Sequence, residues 1–361
     1  MTKANIVFYL HHKRKNPRNS EGAFVALADG RIMYAYSHYF GASWHDNDAA
    51  SICARFSSNG GRTWTKEDRV LVKNEGGCNV MSVSLLRLQD NRIALFYLRK
   101  NSAMDCRTRM RVSSNEGQTW SKPVLCIPEP GFFVVNNDRI IQLCNGRLIV
   151  PSAYHRSKGA FSKTGTTGKD YSVNDRGIAM FFLSDDSGKT WRAAKDWWAL
   201  PVRSESGAQE PGVVELSDGR LYAYIRTSCG CQYEMLSEDG GETWSAPRTS
   251  MFRSPCAPLS IKRIPSSGHL LAVWNDHSGR WHLPPFKPSS WGRTPLVIAV
   301  SKDEGMTWQS HQLIETDPGR GFCYTAIHFT EDALLLAYCC GGRRGFVLQD
   351  TCIRRIPLVH I

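Results

Sequence analysis

A small set of polar side chains recurs at one place in a repeated strand–turn–strand unit. Counting eight residues back from the Asp or Asn of the turn gives, in five copies, Glu21, Ser82, Asn137 with its neighbour Asp138, Glu210 and Tyr324. A strand start that served packing alone would be small or apolar, as Pro258 or Leu259 is in another copy. Equivalent positions of a repeat are expected to converge, so these acidic, amide and phenol groups predict one polar binding site.

Two arginines add positive charge near the same strand starts. Arg226 ends the second strand of the copy that holds Glu210, and Arg293 opens a later strand in WGRTPLVIAV. A guanidinium group binds a carboxylate with two parallel hydrogen bonds. The residue types and their spacing therefore predict a site for an anionic ligand.

Two interleaved repeats must position these residues. Five octets of the form S-x-[DN]-x-G-x-T-W occur at 57–64, 113–120, 184–191, 237–244 and 301–308. The octet is typical of a hairpin turn in which Asn or Asp bonds the following backbone, Gly supplies a positive φ and Trp packs between units. Six copies of an apolar run, a D/N-G-R-like turn and a second apolar run lie between the octets.

The repeats together indicate six units of four strands each. This pattern predicts an all-β, six-bladed β-propeller with four-stranded antiparallel blades, formed as a single domain by residues 1–361. The sixth copy has no octet after it, so we expect the segments FVLQDTCIRRIPL and NIVFYLHH, from the two ends of the chain, to complete its blade. The polar segment 157–176 is expected to form a long loop, with a lid over the site as one interpretation.

Composition restricts the classes of partner. Lys and Arg number 45 against 33 Asp and Glu, so the surface should attract anions. Nucleic acid is disfavoured because no aromatic residues alternate regularly with the basic ones. We expect no membrane segment, no metal and no cofactor, because neither a run of about 18 apolar residues nor a metal-ligand spacing occurs.

The cysteines and the N-terminal segment bear on the cellular setting. Twelve scattered cysteines favour reduced thiols, and the segment MTKANIVFYLHHK lacks the features of a signal peptide. A cytoplasmic setting is therefore expected, or a secreted or periplasmic one if a signal has been removed. The oligomeric state stays open.

On these motifs the chain resembles the sialidase (neuraminidase) superfamily. The octets resemble its Asp-boxes, and the six-blade pattern covers essentially the whole chain. The resemblance implies an exo-acting, retaining glycoside hydrolase that removes a terminal sialic acid or a related 2-keto acid sugar from an acidic glycan. It implies Tyr324 in GFCYTA as the nucleophile and Glu210 in QEPGVVEL as its proton acceptor. Asp46 in HDNDAASICAR is implied as the acid/base, with Asp48 as the alternative.

The resemblance also assigns the substrate carboxylate to arginines, with one departure. Arg226 and Arg293 match two of the family's three arginines, but the third, in an R-I-P motif, is replaced by RNSEGAF. The position eight residues before the turn residue is called here the axial position, because a propeller's inner strands start near its axis. Glu21 occupies this position in its copy. Arg18 lies three residues before it and is the candidate substitute. Two alternatives therefore stay open: a propeller glycosidase for a neutral or uronic sugar, and a non-catalytic propeller that binds a glycan.

Overall fold

The computed structural model describes residues 5–157, 173–343 and 345–361. Regular structure in these ranges consists of 25 strands and two single-turn 3₁₀ helices, Pro288–Ser290 and Leu358–His360. Most of the predicted loop 157–176 lies outside the described residues, so its interpretation as a lid stays a prediction. Within the described ranges, no helix has the length and apolar character needed to cross a bilayer.

Three sheets are four-stranded antiparallel meanders that follow the order of the chain. The first contains β2 (Asn19–Ala26), β3 (Ile32–Tyr39), β4 (Ala50–Ser57) and β5 (Arg69–Val72). The third contains β15 (Gln209–Glu215), β16 (Leu221–Arg226), β17 (Cys231–Ser237) and β18 (Arg248–Arg253). The fourth contains β19 (Ser260–Arg263), β20 (Leu270–Asn275), β21 (Leu296–Ser301) and β22 (Gln309–Glu315).

The second sheet is larger, with nine strands. Its first half contains β6 (Asn79–Arg87), β7 (Ile93–Ser102), β8 (Asp105–Ser113) and β9 (Val124–Leu125). Its second half contains β10 (Gly131–Val134), β11 (Ile141–Gln142), β12 (Leu148–His155), β13 (Ile178–Ser184) and β14 (Arg192–Trp198). The two halves are antiparallel meanders, and a short parallel pairing of β10 with β8 joins them. The predicted count of six blades therefore stays a prediction.

The fifth sheet joins the two ends of the chain. It contains β23 (Cys323–Phe329), β24 (Ala333–Cys339), β25 (Thr351–Pro357) and, beside β25, the N-terminal β1 (Asn5–Leu10). The prediction that both terminal segments complete the last unit is confirmed by the antiparallel register of β1 with β25.

The octets form the predicted turns. In the octet 184–191, the amide of Gly188 donates to Ser184 Oγ at 2.9 Å and the amide of Thr190 donates to Asp186 Oδ1 at 2.9 Å. Gly188 has a φ of 84°, which a side chain would strain. The indole of Trp191 closes the turn on the carbonyl of Gly188 at 3.0 Å. The octets are therefore structural, as their repetition indicates.

Apolar side chains pack between successive sheets and thereby order them around an axis. Trp64 packs with Phe24 of the first sheet and Leu335 of the fifth, so one cluster joins the ends of the series. The inner strands contact each other in the same order: β2 contacts β6 and β23, β15 contacts β12 and β19, and β19 contacts β23. This arrangement brings the starts of the inner strands together.

Candidate active site

The inner strands share an unusual backbone feature at their starts. Four of the predicted axial residues have a positive φ: 56° at Glu21, 56° at Ser82, 44° at Glu210 and 57° at Tyr324. Each lies in a one-residue bulge in the pairing with the next strand. Left-handed backbone at a non-glycine residue costs on the order of 1–3 kcal/mol, and bulges redirect side chains. Because this strain recurs at equivalent positions, it indicates that these residues have a common function near the axis.

The second half of the second sheet departs from the predicted count. Asn137 lies between β10 and β11, and the positive φ falls on Asp138 instead, at 54°. The inner strand is interrupted there, so counting back from the turn misplaces the equivalent position by one residue.

Several of these strand starts open into one cavity of about 240 Å³. Three carboxylic acids and the phenol line it: Glu21, Asp46, Glu210 and Tyr324. The remaining polar lining is Asn47, Ser82, Lys100 and Asn136, and the apolar lining is Met81, Leu98, Phe132, Val134 and Val173. The structure thus brings together both members of the predicted tyrosine–glutamate pair and the predicted loop aspartate.

The group called here the tyrosine side consists of two lining residues, Glu210 and Tyr324, and two arginines that contact them from outside the lining, Arg226 and Arg293. The phenol of Tyr324 donates to Glu210 Oε1 at 3.2 Å and accepts from Arg226 Nη1 at 3.2 Å. Arg226 Nη1 also lies 2.9 Å from Glu210 Oε2. Burial and the charge of Glu210 raise the pKa of Tyr324 well above its usual value, although both arginines oppose this. The phenol is therefore neutral, with a proton acceptor and a cation in contact with its oxygen.

Arg293 differs from Arg18 and Arg226 in its partners. Its guanidinium lies 5.4 Å from the ring centres of both Tyr324 and Trp291, and Nη1 donates to Cys323 Sγ at 3.1 Å. Among the residues that the structure describes, no carboxylate forms an ion pair with it. Burial raises the pKa of the Cys323 thiol, but hydrogen bonding with Cys339 and the charge of Arg293 lower it to about 7. A buried guanidinium without a carboxylate favours an anionic ligand.

A second group, called here the acidic side, consists of the lining residues Glu21 and Asp46 and of Arg18, which pairs with both. Arg18 is 1% exposed and its donors are occupied within the protein. Nε donates to Ser20 Oγ at 2.8 Å, Nη2 donates to Glu21 Oε2 at 3.1 Å, and Nη1 donates to Asp46 Oδ1. The guanidinium also lies 4.6 Å from the ring centre of Tyr39. The geometry does not support the predicted role of Arg18 in binding substrate, because its donors face the two carboxylates.

The two carboxylates that share Arg18 have opposite pKa shifts. Burial raises the pKa of Glu21 to about 7, which Arg18 opposes and the charges of Asp46 and Glu210 reinforce. Enclosure in the cavity also raises the pKa of Asp46, but Arg18 and Lys100 together outweigh it and lower that pKa to about 2. The Asp46 side chain stays 62% exposed, so solvent supports its charge. Asp46 takes the ion pair, and Glu21 holds a proton up to near-neutral pH.

Besides the three arginines, two further predicted binding residues, Asn137 and Asp138, do not line the cavity. Asn137 Nδ2 donates to the carbonyls of Gly22 at 2.7 Å and Tyr324 at 3.1 Å, so its amide ties inner strands together. Asp138 accepts from Lys262 Nζ at 3.0 Å and from the amide of Ile327 at 3.0 Å. Both side chains are buried by these contacts, so the geometry supports a structural role across the axis for each.

Three polar cavity residues, Asn47, Lys100 and Asn136, were missed from the sequence. Lys100 lies near the end of the second strand of its repeat copy, as Arg226 does in its own copy, but two positions further from the turn. This similar location was the signal that could have identified Lys100. Asn136 lies one residue before the predicted position in the interrupted strand. Within the described ranges, no group of three or more His, Cys, Asp and Glu side chains is arranged to hold a metal ion.

The sequence is similar to those of known proteins. The sequence matches the BNR repeat-like domain family over residues 18–336. It is 28% identical over 214 residues to the anhydrosialidase of Macrobdella decora, covering 55% of this chain and 25% of that protein. It is 26% identical over 297 residues to a sialidase of Micromonospora viridifaciens, covering 72% of this chain and 40% of that protein. The chain thus spans a quarter to two fifths of the length of these curated relatives.

Solved structures agree on the architecture. The leech intramolecular trans-sialidase, solved with 2,7-anhydro-Neu5Ac, superimposes with a TM-score of 0.71 at 15% identity, covering 100% of this chain and 71% of that one. At this identity the likeness shows the fold alone, an all-β propeller with antiparallel sheets. Since the family match spans most of the sequence, the chain belongs to the BNR repeat-like domain family, within the propeller superfamily that includes the sialidases.

Proposed function

We propose that the chain is a retaining, exo-acting glycoside hydrolase that removes a terminal sialic acid, or a related 2-keto acid sugar, from a glycan. The observation that carries this proposal is the contact of the Tyr324 phenol with Glu210 and Arg226 in a cavity that also holds Asp46. The sialidase names of the relatives support the reaction class.

We also propose that the protein is a single propeller domain of six blades. The two meanders of the nine-stranded sheet each have the strand order of a blade, and with the other four sheets they make six. Six apolar clusters, one between each successive pair of meanders, support a closed ring.

Tyr324 attacks the anomeric carbon in this proposal. That carbon carries a carboxylate in 2-keto acid sugars, which would repel an anionic nucleophile, and sialidases with a tyrosine nucleophile are exceptions to two-carboxylate hydrolysis. A neutral phenol avoids the repulsion. As the bond forms, the phenol proton moves to Glu210 and Arg226 stabilises the negative charge that develops on the oxygen. The bond to the leaving oxygen breaks, which gives a glycosyl-tyrosine intermediate.

The substrate carboxylate lies against Arg293 and Arg226 in this proposal. Arg293 has no carboxylate partner among the described residues, and Arg226 pairs with Glu210. The tyrosine side therefore has a net positive charge. A two-arginine clamp places the anomeric carbon beside the phenol, which reduces the entropic cost of reaching the transition state.

Asp46 donates a proton to the leaving oxygen and later deprotonates the attacking water. It is ionised in the free protein, and burial under a bound sugar raises the pKa of a carboxyl group toward the protonated form that an acid needs. Water then attacks the same carbon from which the leaving group departed. Two displacements at one carbon give net retention.

A panel of aryl glycosides tests the proposal. We expect hydrolysis of an aryl sialoside, and we expect the Tyr324→Phe substitution to reduce kcat by roughly a thousandfold or more while the fold is kept. Tyr233→Phe, on a strand away from the cavity, is the matched control. Hydrolysis at the wild-type rate by Tyr324→Phe would contradict the nucleophile assignment.

Glu21 favours a second candidate, a glycosidase for a neutral or uronic sugar. Its carboxyl group occupies the axial position and keeps a proton up to near-neutral pH, so it suits a hydroxyl group of the ligand. Cleavage of aryl galactosides or glucuronides, with aryl sialosides left intact, would establish this alternative and exclude the first.

A further inference from the structure

The loop that carries Asp46 is held by a pair of side chains from the neighbouring sheet. This loop, residues 40–49, joins β3 to β4 in the first sheet and reaches β6 and β7. The carbonyl oxygen of Asp46 accepts from Lys100 Nζ at 2.8 Å and from Asn79 Nδ2 at 2.7 Å. Asn79 Nδ2 also donates to the carbonyl of Asp48 at 2.8 Å.

The two donors lie side by side by virtue of strand register. Asn79 and Lys100 are directly opposite each other in the antiparallel pairing of β6 with β7. Their side chains therefore share one face of the sheet, and both are buried, 0% and 5% exposed. A pair on rigid strands fixes a contact more accurately than residues of a loop would.

Burial of an ammonium group is costly, which gives this contact its strength. Within the described part of the chain, the acceptors of Lys100 Nζ are the carbonyl of Asp46 and, at 3.4 Å, Asn47 Oδ1. If the loop lifted, the ammonium would lose both of these acceptors. The Oδ1 atom of Asn79 is buried without a hydrogen-bond partner, so this amide serves the loop through its donor side.

We propose that Lys100 and Asn79 are positioning residues that hold the Asp46 peptide in place, so that the Asp46 carboxyl can transfer a proton to the leaving oxygen. The inference rests on the proposed function, in which Asp46 is the acid/base. Arg18 holds the carboxylate end of Asp46 and the pair holds its backbone, so the residue is fixed at both ends.

Two substrates of different leaving-group acidity test this inference in the full chain. Proton donation matters little for 4-nitrophenyl sialoside and greatly for sialyllactose, whose leaving group is a poor one. We expect Lys100→Met to reduce kcat/KM for sialyllactose about tenfold more than for the nitrophenyl substrate, with Asn79→Ala acting in the same direction. Lys302→Met, at an exposed position in the fourth sheet's octet, is the matched control. Equal losses on both substrates would overturn the inference.

A double variant separates positioning from general damage. Adding Lys100→Met to Asp46→Ala should leave the ratio of the two rates unchanged, because Lys100 acts through Asp46. A further tenfold change in that ratio would overturn the inference.

Hydrogen exchange provides a readout that does not depend on activity. Amides of the loop 40–49 should exchange about tenfold faster in Lys100→Met than in wild type or Lys302→Met. Unchanged exchange would overturn the positioning role whatever the wild type hydrolyses. Faster exchange with no sialoside cleaved by the wild type would instead contradict the proposed function and the proton-transfer part of the inference, leaving only the contact itself.

Discussion

The tyrosine side and the acidic side of the cavity differ in the ratio of carboxylates to guanidinium groups. The tyrosine side has one carboxylate and two guanidinium groups, whereas the acidic side has two carboxylates and one guanidinium group. Excess positive charge favours a bound anion on the first side. On the second, burial keeps a proton on Glu21 up to near-neutral pH, whereas Asp46 is largely exposed and stays ionised beside Arg18 and Lys100.

The difference explains why the three arginines are not equivalent. Arg18 pairs with two carboxylates, Arg226 pairs with one, and Arg293 contacts a thiol and two aromatic rings. An arginine is available to a ligand only to the extent that the protein leaves its donors unused. Substitutions of these residues should therefore affect different measured quantities.

The largest effect on stability is expected for Arg18→Met. The substitution removes the guanidinium that pairs with buried Glu21 and with Asp46, so the free energy of unfolding should fall by about 3 kcal/mol near neutral pH. Urea denaturation measures this change, with Arg14→Met on the exposed turn as control. A fall below about 1 kcal/mol, with a large rise in KM instead, would show that Arg18 binds substrate after all.

Arg293→Met should behave in the opposite way. Loss of a guanidinium that contacts the substrate carboxylate costs about 2 kcal/mol of binding, so KM for an aryl sialoside should rise roughly 30-fold. Stability should change by less than about 1 kcal/mol, since no carboxylate partner is left behind. Steady-state kinetics beside urea denaturation checks both parts. A KM within twofold of wild type would remove Arg293 from the clamp.

Glu21→Gln should produce the smallest effect, visible as a change of slope with pH. The folded-state pKa of about 7 lies above the ordinary value of 4.5, so the folded protein holds a proton that the unfolded chain has lost. Wild-type stability therefore falls as pH rises through this window, and the variant should lack that fall.

The advantage of Glu21→Gln over wild type should grow by about 1–2 kcal/mol between about pH 5 and about pH 8. Urea denaturation across this range measures it. A difference that stays constant or shrinks as pH rises would mean that Arg18 balances both acids and that the two sides of the cavity do not differ as described.

The strands and turns could be predicted because they repeat. The octets fixed the hairpins, and the missing sixth octet indicated that the chain ends pair, as β1 and β25 do. The prediction of the axial position was wrong by one residue at Asn137 and Asp138. Counting back from the turn assumes an unbroken strand, and the strand is interrupted there.

The sequence predicted which residues form the site better than it predicted the contacts that those residues make. Tyr324, Glu210 and Asp46 line one cavity as expected. Sequence spacing does not tell whether a guanidinium faces the cavity or pairs with neighbouring carboxylates, so the prediction that Arg18 binds the ligand rests on its position in the repeat alone. Lys100 was missed because its function depends on strand register with Asn79, which brings together residues far apart in the chain.

The most direct test of the central claim is to trap the covalent intermediate. In a 2,3-difluoro sialic acid, the fluorine on C3 destabilises the positively charged transition state and slows both steps. The fluoride on C2 is a good leaving group that Tyr324 displaces, so the glycosyl-enzyme forms and accumulates. The account predicts a mass increase of one fluorosialosyl residue, mapped to the peptide that contains Tyr324, and no adduct on Tyr324→Phe. An adduct on Glu210 or Asp46, or no adduct on a wild-type protein that cleaves sialosides, would contradict it.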